Sequence, residues 1–243
     1  MLVLRAVEDD QPIEALLYHG EFRAHEGARE AIAKLRRRGA VVREVSPSAM
    51  GRAVPGPRLP AAAALVPLSR PKLADLLRRA PQIIVVFDGV ANPDNLGLAL
   101  RTAEGAGADG VVFLEGCADP FSRRAVRGAR GAVGRLPMAF ASGGEALEQL
   151  KREGWQVIAT SAHGPLLLTE LDPRLPLAVV VGSESRGVHP ELAAAAHCLA
   201  RLPMYGRQSS HNVAVATGMI LQALRMRVEE QRDHPKRARP RAE

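Results

Sequence analysis

The chain has 243 residues, 47% of them apolar and 24% charged, which suits one or two folded domains and excludes a collagenous or wholly disordered polypeptide. A net charge of +7 favours a polyanionic partner, while Phe 5, Tyr 2 and Trp 1 are too few for a surface that binds single strands mainly by stacking bases on aromatic rings. Cys117 and Cys198 are too few for a disulfide scaffold, and no apolar run reaches the roughly 18 to 20 residues that span a bilayer, so a reducing cytosol is the expected compartment.

Residues 12–46 read as a small mixed unit: Ile13 to Leu17 and Ala28 to Leu35 have helical spacing, and Ala40-Val41-Val42 and Val45 read as a strand. Pro47, Pro55, Pro57 and Pro60 then interrupt the periodicity, and Ala61 to Ala64 lead into Leu65-Val66. The pattern predicts a first domain over residues 1–70 and a linker over 71–80. Beyond Pro81, short runs that are apolar at every position (Ile83 to Phe87, Val111 to Leu114, Val157 to Ala159, Leu177 to Val181) alternate with helical segments around Leu98 to Ala106, Arg123 to Ala129 and Gly144 to Glu153. That rhythm predicts an α/β domain with a parallel sheet covered on both faces, over residues 81–228. A last helix, Asn212 to Glu229, aligns Val213, Ala216, Ile220, Ala223 and Leu224 on one stripe, suited to packing on the sheet or on a second subunit. In the remainder, taken as a disordered basic tail over 229–243, residues 231–243 hold Arg232, Lys236, Arg237, Arg239 and Arg241 against Asp233 and Glu243, and no apolar face forms.

Two motifs carry less than their letters suggest. Gly105-Ala106-Gly107-Ala108-Asp109-Gly110 spells a dinucleotide fingerprint, but it follows a helix and precedes a strand, the reverse of the order that brings a pyrophosphate to a helix N-terminus; it reads as a helix end and a turn. His163, His189, His197 and Cys198 lack the spacing of a zinc site, so no metal is assigned.

Three other segments lie at the C-terminal ends of predicted strands, where open α/β sheets place ligands. The first is Asp88-Gly89-Val90-Ala91-Asn92-Pro93-Asp94-Asn95-Leu96-Gly97, running into a helix with Arg101 and Glu104, in which Asn95 and Arg101 are expected to face one anion. The second is Val179-Val180-Val181-Gly182-Ser183-Glu184-Ser185-Arg186-Gly187-Val188, a buried strand ending in a glycine-flanked loop with one carboxylate. The third is Arg201-Leu202-Pro203-Met204-Tyr205-Gly206-Arg207-Gln208-Ser209-Ser210-His211-Asn212, a strand end, a glycine loop and polar residues at a helix start. In order, spacing and position the three resemble the motifs of the SpoU family of RNA ribose 2′-O-methyltransferases, of the SPOUT class, across residues 81–228.

The resemblance implies a C-terminal trefoil knot, a homodimer whose knots meet with each site drawing on both chains, and S-adenosylmethionine held between the second and third loops by groups around Gly182, Leu202, Met204, Gly206 and His211. It implies structured RNA, ribosomal or transfer, as substrate rather than DNA, and a ribosomal-protein-like substrate-binding domain in residues 1–70. The family match gives Arg101 the part of base or phosphate clamp, has Asn95, Ser210 and Asn212 orient ribose and cofactor, and has Glu184 position a donor or the arginine. Two positions depart from the pattern: His211 replaces an aliphatic residue of Ser-Leu-Asn, and Ala129 replaces a common serine. The competing readings are a catalytically retired RNA-binding knot, disfavoured because the polar set is complete, and a base-directed methyltransferase, disfavoured because the Asn95 to Arg101 spacing goes with ribose-directed members.

Overall fold

The computed structural model describes residues 2–233, which separate into two units, Met1–Ser69 and Arg70–Glu243. In the first, the elements in order are α1 (Leu2–Glu8), β1 (Ala15–Tyr18), α2 (Gly20–Arg23), α3 (Ala28–Arg37), β2 (Val41–Glu44), α4 (Pro47–Ala53) and β3 (Ala62–Leu65). Their sheet runs β2-β1-β3, with β1 parallel to β2 and antiparallel to β3. Leu16, Tyr18, Phe22, Ile32 and Leu35 are buried together as its core.

Three sequence expectations need correction here. Ile13 to Leu17, expected as a helix, enters β1, where Leu16 and Tyr18 point inward and Ala15 and Leu17 stay half-exposed; five residues are too few to separate a helical from an alternating pattern. The proline-rich stretch holds α4, because Pro47 stands at the helix start, where its missing N–H costs nothing, and Ser46 caps it by accepting from the Ala49 N–H at 3.2 Å. The alanine run is β3, pairing Ala62 with Tyr18 and Ala64 with Leu16.

The second unit contains α5 (Leu73–Leu77), β4 (Ile83–Asp88), α6 (Pro93–Gly105), β5 (Gly110–Phe113), α7 (Arg123–Ala129), α8 (Ala132–Arg135), β6 (Met138–Phe140), α9 (Gly143–Arg152), β7 (Gln156–Thr160), β8 (Leu166–Leu167), β9 (Leu177–Gly182), α10 (Pro190–Ala195), β10 (Cys198–Arg201) and α11 (Val213–Asp233). Residues 71–80 are therefore no linker: α5 buries Leu73 and Leu76 against the sheet. The seven strands run β6-β5-β4-β9-β7-β10-β8, and every pairing is parallel. Ile83 through Phe87 are all fully buried because both faces are covered, one by α6 and α11 and the other by α9 and α10 with Trp155.

Helix α6 is the platform of the first motif loop. It meets α7 at a point where a Cβ on Gly97 would overlap the Ala125 carbonyl and one on Gly128 would lie 3.3 Å from Gly97, so the two backbones touch. It meets α11 where a Cβ on Gly218 would come within 2.6 Å of Thr102 Cγ2. Helix α11 buries Val213, Ile220 and Leu224 as expected but runs on to Asp233, so the first residues assigned to the tail are helical. The remainder of the tail lies outside the described residues. Among the described residues no helix is long and apolar enough to cross a membrane.

Candidate active site

Strands β4, β9 and β10 end at the same edge of the sheet, and the three motif loops leave from there. The first turns at Gly89, which has a φ of +67° and so favours glycine, and passes into α6, whose first N–H groups are capped by Asn92: its Oδ1 accepts from Asp94 at 2.9 Å and Asn95 at 3.3 Å. The second is a tight hairpin in which Gly187 N–H donates to Ser183 O at 2.8 Å and Ser183 N–H returns a bond to Gly187 O at 3.1 Å. Gly182 lies against this hairpin so closely that a Cβ would overlap the Gly187 backbone. The third ends at Asn212, whose Oδ1 accepts from the Ala214 N–H at 2.9 Å and caps α11.

These caps fix the polar centre of the site. With Asn212 Oδ1 turned to its own helix, its Nδ2 donates to Asn95 Oδ1 at 3.1 Å, and Asn95 Nδ2 donates in turn to Glu184 Oε1. One hydrogen-bonded chain thus links the three loops, and the remaining carboxylate oxygen of Glu184, which has no partner among the described residues, can accept from a ligand.

Beside it lies a cavity of 410 Å³ between the second and third loops. Gly182, Leu202, Met204, Ser210 and His211, all expected at the site, line it; Gly206 does not. Sequence reasoning missed the wall formed by Thr160, Ser161 and His163, although these residues follow an apolar strand as a polar, glycine-ended loop, the same signal that marked the other three. That loop is tied to β10 by Arg201, which donates to the Gly164 and Pro165 carbonyls at 2.6 and 2.9 Å. The cavity joins apolar surface (Leu168, Val181, Ile220) to polar groups, and among the described residues no cluster of three or more His, Cys, Asp or Glu could cage a metal.

Arg101 is the exception to this convergence. Six residues on a helix is about 120° of rotation and about 9 Å of rise from Asn95, so the two side chains leave the helix on different faces. Arg101 is exposed, does not line the cavity, and makes no hydrogen bond or ion pair among the described residues. Asp94, by contrast, is held by Arg124, and that guanidinium lowers the carboxyl below its usual range. Cys117, behind the first loop, donates to the Phe87 carbonyl at 3.2 Å, and burial raises its thiol to about 11.

The second unit resembles known proteins. Residues 82–222 match the model of the SpoU rRNA Methylase family. The chain is 33% identical over 142 residues to the 23S rRNA (guanosine(2553)-2′-O)-methyltransferase RlmP of Bacillus subtilis, covering 58% of this chain and 57% of that protein. It is 36% identical over 159 residues to the 23S rRNA (guanosine-2′-O-)-methyltransferase RlmB of Pseudomonas syringae, covering 64% of each. The matches thus span less than two thirds of these relatives' length. An AdoMet-bound rRNA methyltransferase from Sinorhizobium meliloti superposes with a TM-score of 0.81 at 30% identity, over 93% of this chain and 84% of that one. The SpoU methyltransferase AviRb from Streptomyces viridochromogenes, in complex with AdoMet, gives 0.81 at 26% identity, over 94% and 89%.

Proposed function

The chain belongs to the SpoU rRNA methylase family, and from that premise we propose that it transfers a methyl group from S-adenosylmethionine to a ribose 2′-hydroxyl of structured RNA, ribosomal or transfer, in the cytoplasm. The observation that carries the reading is the Glu184–Asn95–Asn212 chain of hydrogen bonds, which joins three loops at the rim of a cavity with both apolar and polar walls.

The cavity suits S-adenosylmethionine: apolar Leu168, Val181, Leu202 and Ile220 offer a slot for a purine, and Thr160, Ser161 and Ser210 offer hydroxyls to its polar parts. When bound, that cofactor supplies an electrophilic methyl carbon. Gly182, Leu202, Met204 and His211 would hold it, with Gly206 shaping the loop outside the wall. Asn95, Asn212 and Ser210 would orient the ribose, and Glu184 would fix the direction of the Asn95 amide. Neutralising a guanidinium near neutral pH costs roughly 7 kcal/mol, so in this reading Arg101 stays charged. It grips a substrate phosphate and stabilises the developing alkoxide, while the hydroxyl proton leaves to solvent.

Arg101 supports a dimeric site. Val215, Met219, Gln222 and Met226 form an exposed stripe on α11, and Leu98, three residues before Arg101 on α6, is exposed beside it. A second copy laid on this stripe would cover it and bring its own Arg101 toward the neighbouring cavity. The C-terminal trefoil knot belongs to the same reading, supported by β10 inserting between β7 and β8 after β9 has already paired with β7. So does a substrate-binding role for the first unit.

The decisive experiment incubates the protein with radiolabelled S-adenosylmethionine and unmodified rRNA or tRNA transcripts, then digests with alkali. Label in alkali-resistant dinucleotides is expected; label in single nucleotides would mean base methylation, and no label would mean a binding protein.

A further inference from the structure

The second loop carries a cation that the mechanism above leaves unused. Arg186 lines the cavity, and its side chain lies across the first loop: its Nη2 stands 3.5 Å from where a Cβ on Gly89 would be. A Cβ at position 89 would be in ordinary van der Waals contact with it, and the glycine itself is required by its φ of +67°. Its backbone is pinned by the N–H donating to Ser183 Oγ at 3.2 Å, in the hairpin closed by Ser183 and Gly187. The guanidinium makes no hydrogen bond or ion pair among the described residues. Asp88 accepts from the His189 N–H at 2.7 Å and Glu184 accepts from Asn95, and among the described residues neither carboxylate pairs with the guanidinium. A planar five-donor group held over a glycine turn, next to the hydrogen-bonded centre and without an anion of its own, is arranged to receive one.

We propose that Arg186 binds a phosphodiester of the RNA substrate, the one flanking the ribose presented to Asn95 and Asn212. This rests on the methyltransferase reading and adds a substrate contact made within one chain, separate from Arg101. The anion could come from two sources, an RNA phosphate or the carboxylate of the cofactor. The position favours RNA, because Arg186 leans toward Gly89 and the first loop after β4, whereas the Thr160 to His163 wall and Leu202 follow β7 and β10, on the opposite side of β9 from β4.

The test compares the wild type with Arg186→Gln and Arg186→Lys. Binding of S-adenosylhomocysteine is measured by calorimetry, and binding of an unmodified 23S rRNA transcript is measured from about 50 to 300 mM salt. For Arg186→Gln the expected result is unchanged S-adenosylhomocysteine affinity, RNA binding weakened about tenfold at low salt, and a salt slope smaller in magnitude by about 0.7 to 0.9, the release of one phosphate's counterion. Arg186→Lys should keep the slope and lose part of the affinity, since a point charge replaces a fork. An unchanged slope in Arg186→Gln overturns the inference, as does a loss of S-adenosylhomocysteine affinity equal to the loss for RNA. A wild type that neither binds nor methylates the transcript overturns the methyltransferase reading and this inference together. A wild type that does both, with Arg186→Gln indistinguishable from it, overturns this inference alone.

Discussion

Asn212 donates its side-chain amide to Asn95 across 117 residues of sequence, at 3.1 Å, and each of the two stands at the start of a helix. The same bond therefore sets the relation of α6 to α11 and the aim of the Asn95 amide at Glu184. Asn95→Ala and Asn212→Ala should each lower turnover about 10²-fold, the scale of a small misplacement of reacting groups. The double variant should be little worse than either single one, because all three break one chain. Single-turnover methyl transfer checks this; additive losses would show two independent roles.

Gly182→Ala places a methyl group into the Gly187 backbone. Overpacking of this kind costs about 1–3 kcal/mol, and the hairpin that forms the cavity wall has to move. Both the melting temperature and S-adenosylhomocysteine affinity should fall, read by calorimetry; a variant with unaltered cofactor affinity would detach the second loop from the cofactor.

Met219→Asp, on the exposed stripe of α11, should yield a monomer by light scattering. If Arg101 serves the neighbouring copy, Arg101→Ala and Asn95→Ala proteins each keep about a hundredth of wild-type turnover or less alone, yet a co-expressed mixture should recover about one quarter of it, because half the dimers are mixed and each mixed dimer has one complete site. A mixture with no activity would assign Arg101 to its own chain.

Cys117 gives an alkaline signature. Its thiol is raised from 9.0 to about 11 by burial, so the folded state favours the protonated form. The stabilisation is complete below pH 9 and is lost as pH rises from 9 toward 11. Urea midpoints should decline over that window in the wild type and decline less in Cys117→Ala, and native-state alkylation of Cys117 should be slow at pH 8. Equal decline in both proteins would assign the alkaline loss to other groups.

His211→Leu should keep cofactor binding and raise the melting temperature, because the imidazole Nε2 is buried without a hydrogen-bond partner among the described residues, and such a group costs about 1–3 kcal/mol. If the ring instead takes part in catalysis, the leucine variant keeps cofactor binding but loses turnover, read by single-turnover methyl transfer.

The sequence displayed the parts whose signal is local and repeated. Ile83 to Phe87 and Leu177 to Val181 are apolar at every position, short and rich in Val and Ile, a pattern that suits a strand covered on both faces. Elements whose identity depends on a partner were hidden. Ala62 to Ala64 carry no strand preference of their own and become β3 through pairing with β1, and α5 is too short to show a period. At the site, Asn95, Glu184 and Asn212 were legible because each follows a strand end, yet the bonds that join them cross between loops and leave no trace in spacing. The Asn95 to Arg101 interval misled for the opposite reason: it is a linear distance, and the helix turns it into an angle.

The central pairing of the sheet has a consequence for synthesis. Ile83 pairs with Leu177, so β4 cannot acquire its neighbour β9 until about 90 further residues have been made, an interval of about 5–20 s at ribosomal rates of about 5–20 residues per second. Through that time its five-residue apolar run waits with β5 and β6 alone for company, while the first unit has every strand it needs by Leu65. Aggregation during expression is therefore expected to begin at nascent β4, and slowing translation between residues 114 and 177 should lower the soluble yield more than slowing it before residue 65.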